Sequence, residues 1–168
     1  EVVDGQKKNR HRIILKEDDE SLRFLSGRKF AIMSPITYVG RNNTQENARY
    51  LYALAFDLDG VSMRCHHKMF DLVEKGIMPM PNIIVNSGHG YHLYYLLEDP
   101  VPLHPVIVPL LNRLKHGMTN ILWNMGTSEL EDRQYQSILQ SFRLPGTLTK
   151  FGKRIRAFVC PGVDRYTL

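Results

Sequence analysis

Residues Tyr50–Asp59, with the sequence YLYALAFDLD, form the strongest strand candidate in the chain. Towards its end the segment alternates with the two-residue period of a strand, in which successive side chains point to opposite faces. The alternation predicts one face with Ala53, Ala55, Asp57 and Asp59, and another with Leu54, Phe56 and Leu58. Gly60 then ends the strand, so two carboxylates are expected to share one face at its end.

The segments around this strand alternate between further strand and helix patterns. We expect strands over Phe30–Val39 (broken at Pro35), Asn82–Ser87, Tyr91–Glu98 and Ile155–Val159, and helices over Thr44–Arg49, Ser62–Lys75 and Pro105–Trp123. Residues Gly88–Gly90 form a predicted hairpin turn between two of these strands. Together these elements predict a mixed α/β domain with at least four or five strands.

The composition is that of an ordinary globular protein, with 168 residues, 43% of them hydrophobic and 23% charged. This excludes a collagen, a coiled coil or a disordered tail. The apolar stretches are too short for a transmembrane helix and no signal peptide is visible, so no membrane partner is expected. Two cysteines do not make a disulfide framework, which favours a cytoplasmic location. Zinc is not predicted either, because Cys65-His66-His67 has no second ligand pair at the usual spacing.

The charges are unevenly distributed along the chain. There are 22 basic and 17 acidic residues, a net charge of 22 − 17 = +5, which allows a polyanionic partner. Residues 1–29 are mostly polar and of mixed charge, and we expect an N-terminal arm or edge element there. Residues 30–168 are then expected to form the main folded domain. The first residue is Glu1 rather than Met, which favours a fragment of a longer protein.

The aspartates Asp57 and Asp59 suit a divalent cation. Mg²⁺ and Mn²⁺ prefer carboxylate oxygens, and two neighbouring carboxylates cost free energy unless a cation balances them. A simple turn at Asp59-Gly60 would explain Asp59 but not Asp57. Two-metal sites commonly need a further acidic ligand, and the candidates are Glu129, Glu131 and Asp132. An acidic surface loop is the alternative for each of these three residues.

Two further segments suit phosphate groups. Asn86–His92 (NSGHGYH) has glycines that expose backbone N–H groups, and His92 begins a strand where its ring can face the aspartates. Phe142–Phe158 contains basic and aromatic residues but no acidic one, which suits a nucleic-acid backbone or a nucleoside triphosphate. Its basic residues are Arg143, Lys150, Lys153, Arg154 and Arg156. Taken alone, each segment is also compatible with a solvated hairpin.

In this order, the segments resemble the archaeo-eukaryotic primase superfamily, in its primase-polymerase branch found on plasmids, phages and integrative elements. The matching residues are Asp57 and Asp59, then Ser87, Gly88, Gly90 and His92, then Arg143-Leu144-Pro145-Gly146-Thr147. The match spans Tyr50 to Lys150. Asp132 is the candidate for the family's third carboxylate, with Glu131 and Glu129 as alternatives. The family often has Asn shortly after Pro-Gly-Thr, where this chain has Thr149-Lys150.

The resemblance implies an enzyme, a DNA primase/polymerase that performs template-directed nucleotidyl transfer in the replication of a mobile element. Two Mg²⁺ or Mn²⁺ ions would be held by Asp57, Asp59 and Asp132, and His92 would complete the catalytic set. The nucleoside triphosphate would be bound by Ser87, Gly88, His89, His92, Arg143 and Lys150. The single-stranded DNA template would be bound by Lys153, Arg154 and Arg156.

The resemblance also implies a fold, an α/β (α+β) primase core in which an RRM-like sheet packs on a second small α/β unit. Residues 30–168 would be the primase-polymerase catalytic domain, and a helicase or helical accessory domain would lie outside this chain. One alternative is a haloacid-dehalogenase-like phosphatase with Asp57 as nucleophile and Asp59 as general acid. Another is a non-catalytic RRM-like module that stacks bases on Tyr91, Tyr94 and Tyr95.

Overall fold

The computed structural model describes residues 2–3, 6–7, 18–40 and 42–168. Its strands are β1 Val2–Val3, β2 Gln6–Lys7, β3 Ile32–Met33, β4 Ile36–Tyr38, β5 Ala48–Asp59, β6 Ile83–Asn86, β7 Gly90–Pro102, β8 Phe142–Arg143 and β9 Arg156–Val159. Its helices are α1 Asp19–Leu25, α2 Met63–Glu74 and α3 Ile107–Leu122, with a 3₁₀ turn at Gln45–Asn47. Residues 1, 4–5 and 8–17 of the predicted N-terminal arm lie outside the described residues.

A five-stranded antiparallel sheet with the order β4-β5-β7-β6-β9 forms the centre of the structure. The long strands β5 and β7 lie next to each other, and their register places Asp57 opposite His92 and Asp59 opposite Gly90. Two short pairs, β1 with β2 and β3 with β8, lie outside this sheet. The register of β5 and β7 therefore brings the predicted acidic and histidine motifs together.

The two faces of the sheet bury different side chains, as the alternation in β5 predicts. Leu54, Phe56 and Leu58 pack with residues of α2 and α3, including Met69 and Leu111. The opposite face carries a smaller cluster, whose buried members are Ala53, Ala55, Val85, Tyr94, Phe142 and Ile155. Since side chains alternate along β5, Asp57 and Asp59 continue this second face beyond the alanines.

Most of the predicted elements are confirmed, and the differences have local causes. The strand predicted over Phe30–Val39 appears as β3 and β4, separated near Pro35, and the hairpin at Gly88–Gly90 joins β6 to β7. The helix predicted over Thr44–Arg49 is wrong in extent, because only Gln45–Asn47 form a 3₁₀ turn before β5 begins. Among the described helices, none is long and apolar enough to cross a membrane.

The C-terminal residues are fastened to the sheet through Asn82. The Asn82 side-chain amide donates to the carbonyl oxygens of Val163 and Asp164, and its oxygen accepts from the Leu96 N–H. The Tyr166 N–H donates to the Leu96 carbonyl, and the Tyr166 hydroxyl donates to the Met80 carbonyl. The extension of β7 beyond the predicted Glu98 comes from its pairing with β5, which sets Val101 opposite Leu51 and Pro102 opposite Tyr50.

Gly90 is required by the close approach of β7 to β5. A Cβ at this position would lie 2.1 Å from the Leu58 carbonyl oxygen and 2.8 Å from the Asp59 Cα. Both are backbone atoms of the segment that carries the aspartates, so no side-chain rotation can relieve the overlap. A larger residue must push the two strands apart where Asp57 faces His92.

We predict that Gly90→Ala lowers the free energy of unfolding by at least about 1–3 kcal/mol, the usual cost of overpacking a filled site. Urea denaturation followed by circular dichroism measures the effect. The control is Gly117→Ala on an exposed turn of α3, where a Cβ meets nothing within 4 Å. This variant should gain about 0.5–1 kcal/mol, since Ala favours a helix over Gly. Equal stabilities of the two variants would contradict the prediction.

Candidate active site

The candidate site lies at the end of β5, where Asp57 faces His92 across the strand pair. The His92 Nε2 and Asp57 Oδ1 atoms are 3.4 Å apart, and their side chains are 3% and 25% exposed. Within the described residues, neither Asp57 Oδ1 nor His92 Nδ1 has a hydrogen-bond partner, and the buried Tyr94 hydroxyl also lacks one. Three buried polar atoms on one face of the sheet are thus left unsatisfied, which costs free energy and favours a polar ligand.

Asp57 is a largely buried carboxylate whose charge is only partly balanced by the residues around it. Burial, followed by the charge of Asp59, raises the pKa of Asp57 from 3.8 to about 6, and Arg143 and Lys115 oppose this rise. Burial, followed by the charge of Arg143, lowers the pKa of His92 to about 4. At neutral pH His92 is therefore uncharged, and its contact with Asp57 is not an ion pair. A bound cation would offset the repulsion between the carboxylates of Asp57 and Asp59.

The hairpin turn between β6 and β7 is held by its own polar groups. The Ser87 hydroxyl donates to the Gly90 carbonyl at 3.1 Å, and the Gly88 N–H donates to Asn86 Oδ1 at 2.9 Å. The predicted phosphate-binding groups of Ser87 and Gly88 are thus engaged inside the turn. His89 is exposed, and its ring lies 6.1 Å from that of Phe151.

The basic segment lies next to this turn. A Cβ on Gly88 would lie 3.3 Å from Thr149 Cγ2, which places the turn against the residues after Pro-Gly-Thr. Arg143, in β8, is close enough to lower the pKa values of both Asp57 and His92. The exposed Lys150 has its Nζ 4.9 Å from the centre of the Phe151 ring. The structure thus brings together the acidic, histidine and basic motifs, which lie well apart in the sequence at Asp57, His92 and Arg143.

The three remaining basic candidates differ in what they contact. The Arg154 guanidinium donates to the Gly146 carbonyl at 2.8 Å and to the Ser26 hydroxyl at 3.3 Å. Arg154 therefore stabilises the turn that begins at Pro-Gly-Thr. Lys153 and Arg156 are exposed, and Arg156 lies on the edge strand β9 opposite Asn86.

The third-carboxylate candidates lie in a loop that begins beside the aspartates. The Glu129 N–H donates to the Gly60 carbonyl, while the Trp123 indole donates to the Leu130 carbonyl on the α3 side. Glu129, Glu131 and Asp132 are exposed. In residues 18–40 and 42–168, no three His, Cys, Asp or Glu side chains lie close enough to hold a metal ion. The structure places Asp57 and Asp59 together, without Asp132 beside them.

Two residues near Asp57 are absent from the sequence-based predictions. Lys115 of α3 is only 1% exposed, and its Nζ donates to the Ser137 carbonyl at 3.0 Å. The Gln136 side chain is hydrogen-bonded to the Asp57 backbone. A sequence signal existed for the lysine, because position 115 falls on the buried stripe of α3 formed by Val108, Leu111, Lys115, Thr119 and Leu122. A charged residue on such a stripe is rarely fully buried without a partner.

The overall arrangement is a mixed α/β fold with a counterpart among solved primase domains. Among solved structures, the chain is similar to the archaeo-eukaryotic primase domain of the primase-polymerase of cyanophage S-2L, with a TM-score of 0.54 and 16% sequence identity. The similarity covers 75% of this chain and 60% of that domain, so the chain spans less than two thirds of its length. No protein-family model and no curated protein matches the chain.

We predict that Asp57→Asn stabilises the protein at pH 7.5 in the presence of EDTA. Because the folded state raises the pKa of Asp57 to about 6, keeping this carboxylate ionised opposes folding above that pH. The gain should be on the order of 1–3 kcal/mol, since one pKa unit corresponds to about 1.4 kcal/mol. Between pH 6 and pH 4 the folded wild type takes up a proton before the unfolded chain does, so the advantage of Asn should shrink.

Thermal unfolding at pH 7.5 and pH 4 measures this difference. Asp99→Asn is the matched control, because Asp99 is an exposed carboxylate on β7, and it should change the unfolding temperature little at either pH. A stabilisation by Asp57→Asn that is equally large at both pH values would show that its cause is not the carboxylate charge.

Proposed function

We propose that this chain is the catalytic domain of a DNA primase/polymerase that transfers nucleotides onto a primer or an initiating nucleotide under the direction of a template. The observation that carries the proposal is the pair Asp57 and Asp59 at the end of β5, where Asp57 faces His92 and its Oδ1 has no hydrogen-bond partner among the described residues. The haloacid-dehalogenase-like alternative uses the same aspartates, but it gives no role to the facing histidine or to Arg143.

The residues present fit a divalent metal. Asp57 Oδ1 is buried and unsatisfied among the described residues, and the neighbouring Asp59 raises the cost of its charge. Mg²⁺ or Mn²⁺ would be held by Asp57 and Asp59, with Asp132 as the proposed third ligand from the adjoining loop. When bound, two such ions activate the attacking 3′-hydroxyl and neutralise charge at the α-phosphate.

The protein's own groups would bind the triphosphate and the template. Arg143 and the exposed Lys150 and His89 supply the cationic and polar groups for a triphosphate beside the aspartates. His92, uncharged and fixed on β7, would donate a hydrogen bond to a phosphate oxygen. Because it carries no charge, it would not compete with the metal for the carboxylates of the aspartates. Lys153 and Arg156 would bind the backbone of a single-stranded DNA template, and Arg154 would support their loop.

The RRM-like binding module is less well supported. It requires Tyr91, Tyr94 and Tyr95 to stack on bases, yet Tyr94 and Tyr95 are each only 3% exposed. Tyr94 packs against Phe142, and Tyr95 packs against Phe56. A replication protein of a mobile element, with a helicase or helical accessory domain outside this chain, is the setting that we propose for the enzyme.

We predict that the wild-type protein incorporates labelled nucleotides on single-stranded DNA with Mg²⁺ or Mn²⁺, and that Asp57→Ala and Asp59→Ala each abolish the product. Asp99→Ala is the control and should retain wild-type activity. Two other outcomes would contradict the proposal. Hydrolysis of a phosphomonoester without nucleotide incorporation would favour the phosphatase. Unchanged single-strand binding by the aspartate variants, with no turnover by the wild type, would favour the binding module.

We also predict that the basic residues separate into two roles. Arg143→Ala should raise the KM for the nucleotide, because its charge lies beside the aspartates. The double variant of Lys153→Ala and Arg156→Ala should weaken single-stranded DNA binding and reduce the slope of log K against log salt by about 0.7 for each lost phosphate contact. Arg113→Ala, on the exposed side of α3, should leave both quantities unchanged. If Arg143→Ala altered only the salt slope, this assignment would be wrong.

A further inference from the structure

Within the part of the chain that the structure describes, no strand pairs with the outer edge of β5 where the aspartates lie. Strand β4 pairs only with the first part of β5, its last register position being Ile36 opposite Leu51. Beyond that point, the outward backbone groups of β5 must find other partners, because unpaired backbone groups in a half-buried strand are costly. Two polar side chains from the segment 128–136 supply such partners.

Gln136 takes the place of the missing strand at Asp57. Its Oε1 accepts from the Asp57 N–H at 3.1 Å, and its Nε2 donates to the Asp57 carbonyl at 3.2 Å. Both backbone groups of Asp57 thus point away from β7, so Asp57 and His92 form the non-hydrogen-bonded kind of cross-strand pair. Side chains approach more closely in such pairs, which agrees with the 3.4 Å separation of Asp57 Oδ1 and His92 Nε2.

Ser128 makes the corresponding bond at the second aspartate. Its hydroxyl donates to the Asp59 carbonyl at 2.7 Å and accepts from the Leu130 N–H at 3.1 Å. The side chain is 2% exposed, so this bond is protected from water. The loop that carries Glu129, Glu131 and Asp132 therefore begins at a bond to Asp59 and ends at a bond to Asp57.

Helix α3 holds the far end of this loop in place. The buried Lys115 donates to the Ser137 carbonyl, and Asn112 Oδ1 accepts from the Ile138 N–H at 2.9 Å. Because residues 137 and 138 are fixed to α3, the neighbouring Gln136 presents its amide to β5 from a rigid support. The Lys115 Nζ also lies 5.7 Å and 5.5 Å from the ring centres of Phe56 and Phe142, so the ammonium group is placed near two aromatic rings.

We propose that Gln136 and Ser128 are positioning residues, which fix the backbone of Asp57 and Asp59 so that both carboxylates are preorganised for a divalent cation. We call these two residues and their hydrogen bonds to the backbone of Asp57 and Asp59 the clamp. Its effect on catalysis rests on the proposed function, whereas its effect on cation binding does not. Groups that orient metal ligands typically change metal affinity or activity by about 10–100-fold when they are removed.

The test compares Gln136→Met, which keeps the side-chain length but loses both hydrogen bonds, with Gln134→Met in the same loop, where the glutamine is exposed. Titration with Mn²⁺ alone, followed by the electron paramagnetic resonance of the free ion, measures the dissociation constant. We expect it to rise by about tenfold or more in Gln136→Met and to stay unchanged in Gln134→Met. Amide hydrogen exchange at Asp57 should become faster in Gln136→Met only.

A kinetic readout separates positioning from a general loss of structure. In nucleotide incorporation, Gln136→Met should lower kcat when Mn²⁺ is limiting, and saturating Mn²⁺ should restore kcat. The KM for the nucleotide should stay within about twofold of the wild-type value, since only the metal ligands are affected. Should Gln136→Met fail to fold, Ser128→Ala decides the question through the same Mn²⁺ titration, because it removes only a hydroxyl group.

Three results would overturn the inference. They are an unchanged Mn²⁺ affinity in folded Gln136→Met, an unchanged affinity in Ser128→Ala where Gln136→Met does not fold, and a wild-type protein that binds no Mn²⁺. If the wild type binds Mn²⁺ but makes no product, the proposed function fails. The ratio of the Mn²⁺ dissociation constants then still supports or overturns the clamp.

Discussion

The register between β5 and β7 is the constraint on which the site depends. It sets Asp57 opposite His92 and Asp59 opposite Gly90, and it is fixed where a glycine hydrogen replaces a side chain against the Leu58 carbonyl. A shift by one residue would turn both aspartates towards the helices and the leucines towards the basic segment. The hydrophobic face under α2 and α3 opposes such a shift, so core packing and site geometry are specified by the same pairing.

The charge balance around Asp57 explains why a stable fold can carry an unfavourable group. Burial and Asp59 raise the pKa of Asp57, whereas the charges of Arg143 and Lys115 lower it. Neither cation is in contact with the carboxylate as an ion pair in the described structure, so Oδ1 keeps its capacity to accept a ligand. The site is thus partly compensated, which limits the cost to the fold and leaves a reason for a cation to bind.

The parts of this arrangement that could be predicted from the sequence depend on local patterns, such as the two-residue alternation of a strand and the glycines of a turn. The alternation of Ala53 to Asp59 predicted which face carries the aspartates, and the glycines of the NSGHGYH segment predicted the hairpin that returns His92 to them. The contacts of Gln136 and Lys115 could not be predicted in the same way, although the position of Lys115 on the apolar stripe of α3 indicated that it is buried. Their partners, Asp57 and Ser137, are 79 and 22 residues away along the chain, and nothing in the neighbouring sequence indicates which backbone groups lack a strand. The place of Asp132 depends likewise on the path of an irregular loop.

The fastening of the C-terminal residues by Asn82 makes that end of the chain a fixed reference point. The bridge between Leu97 and Tyr166 lies five residues along β7 from His92. At about 3.4 Å per residue in an antiparallel strand, this corresponds to roughly 17 Å. A spectroscopic probe attached near Tyr166 would therefore report distances to a paramagnetic ion between the aspartates from a rigid position beside the far half of β7.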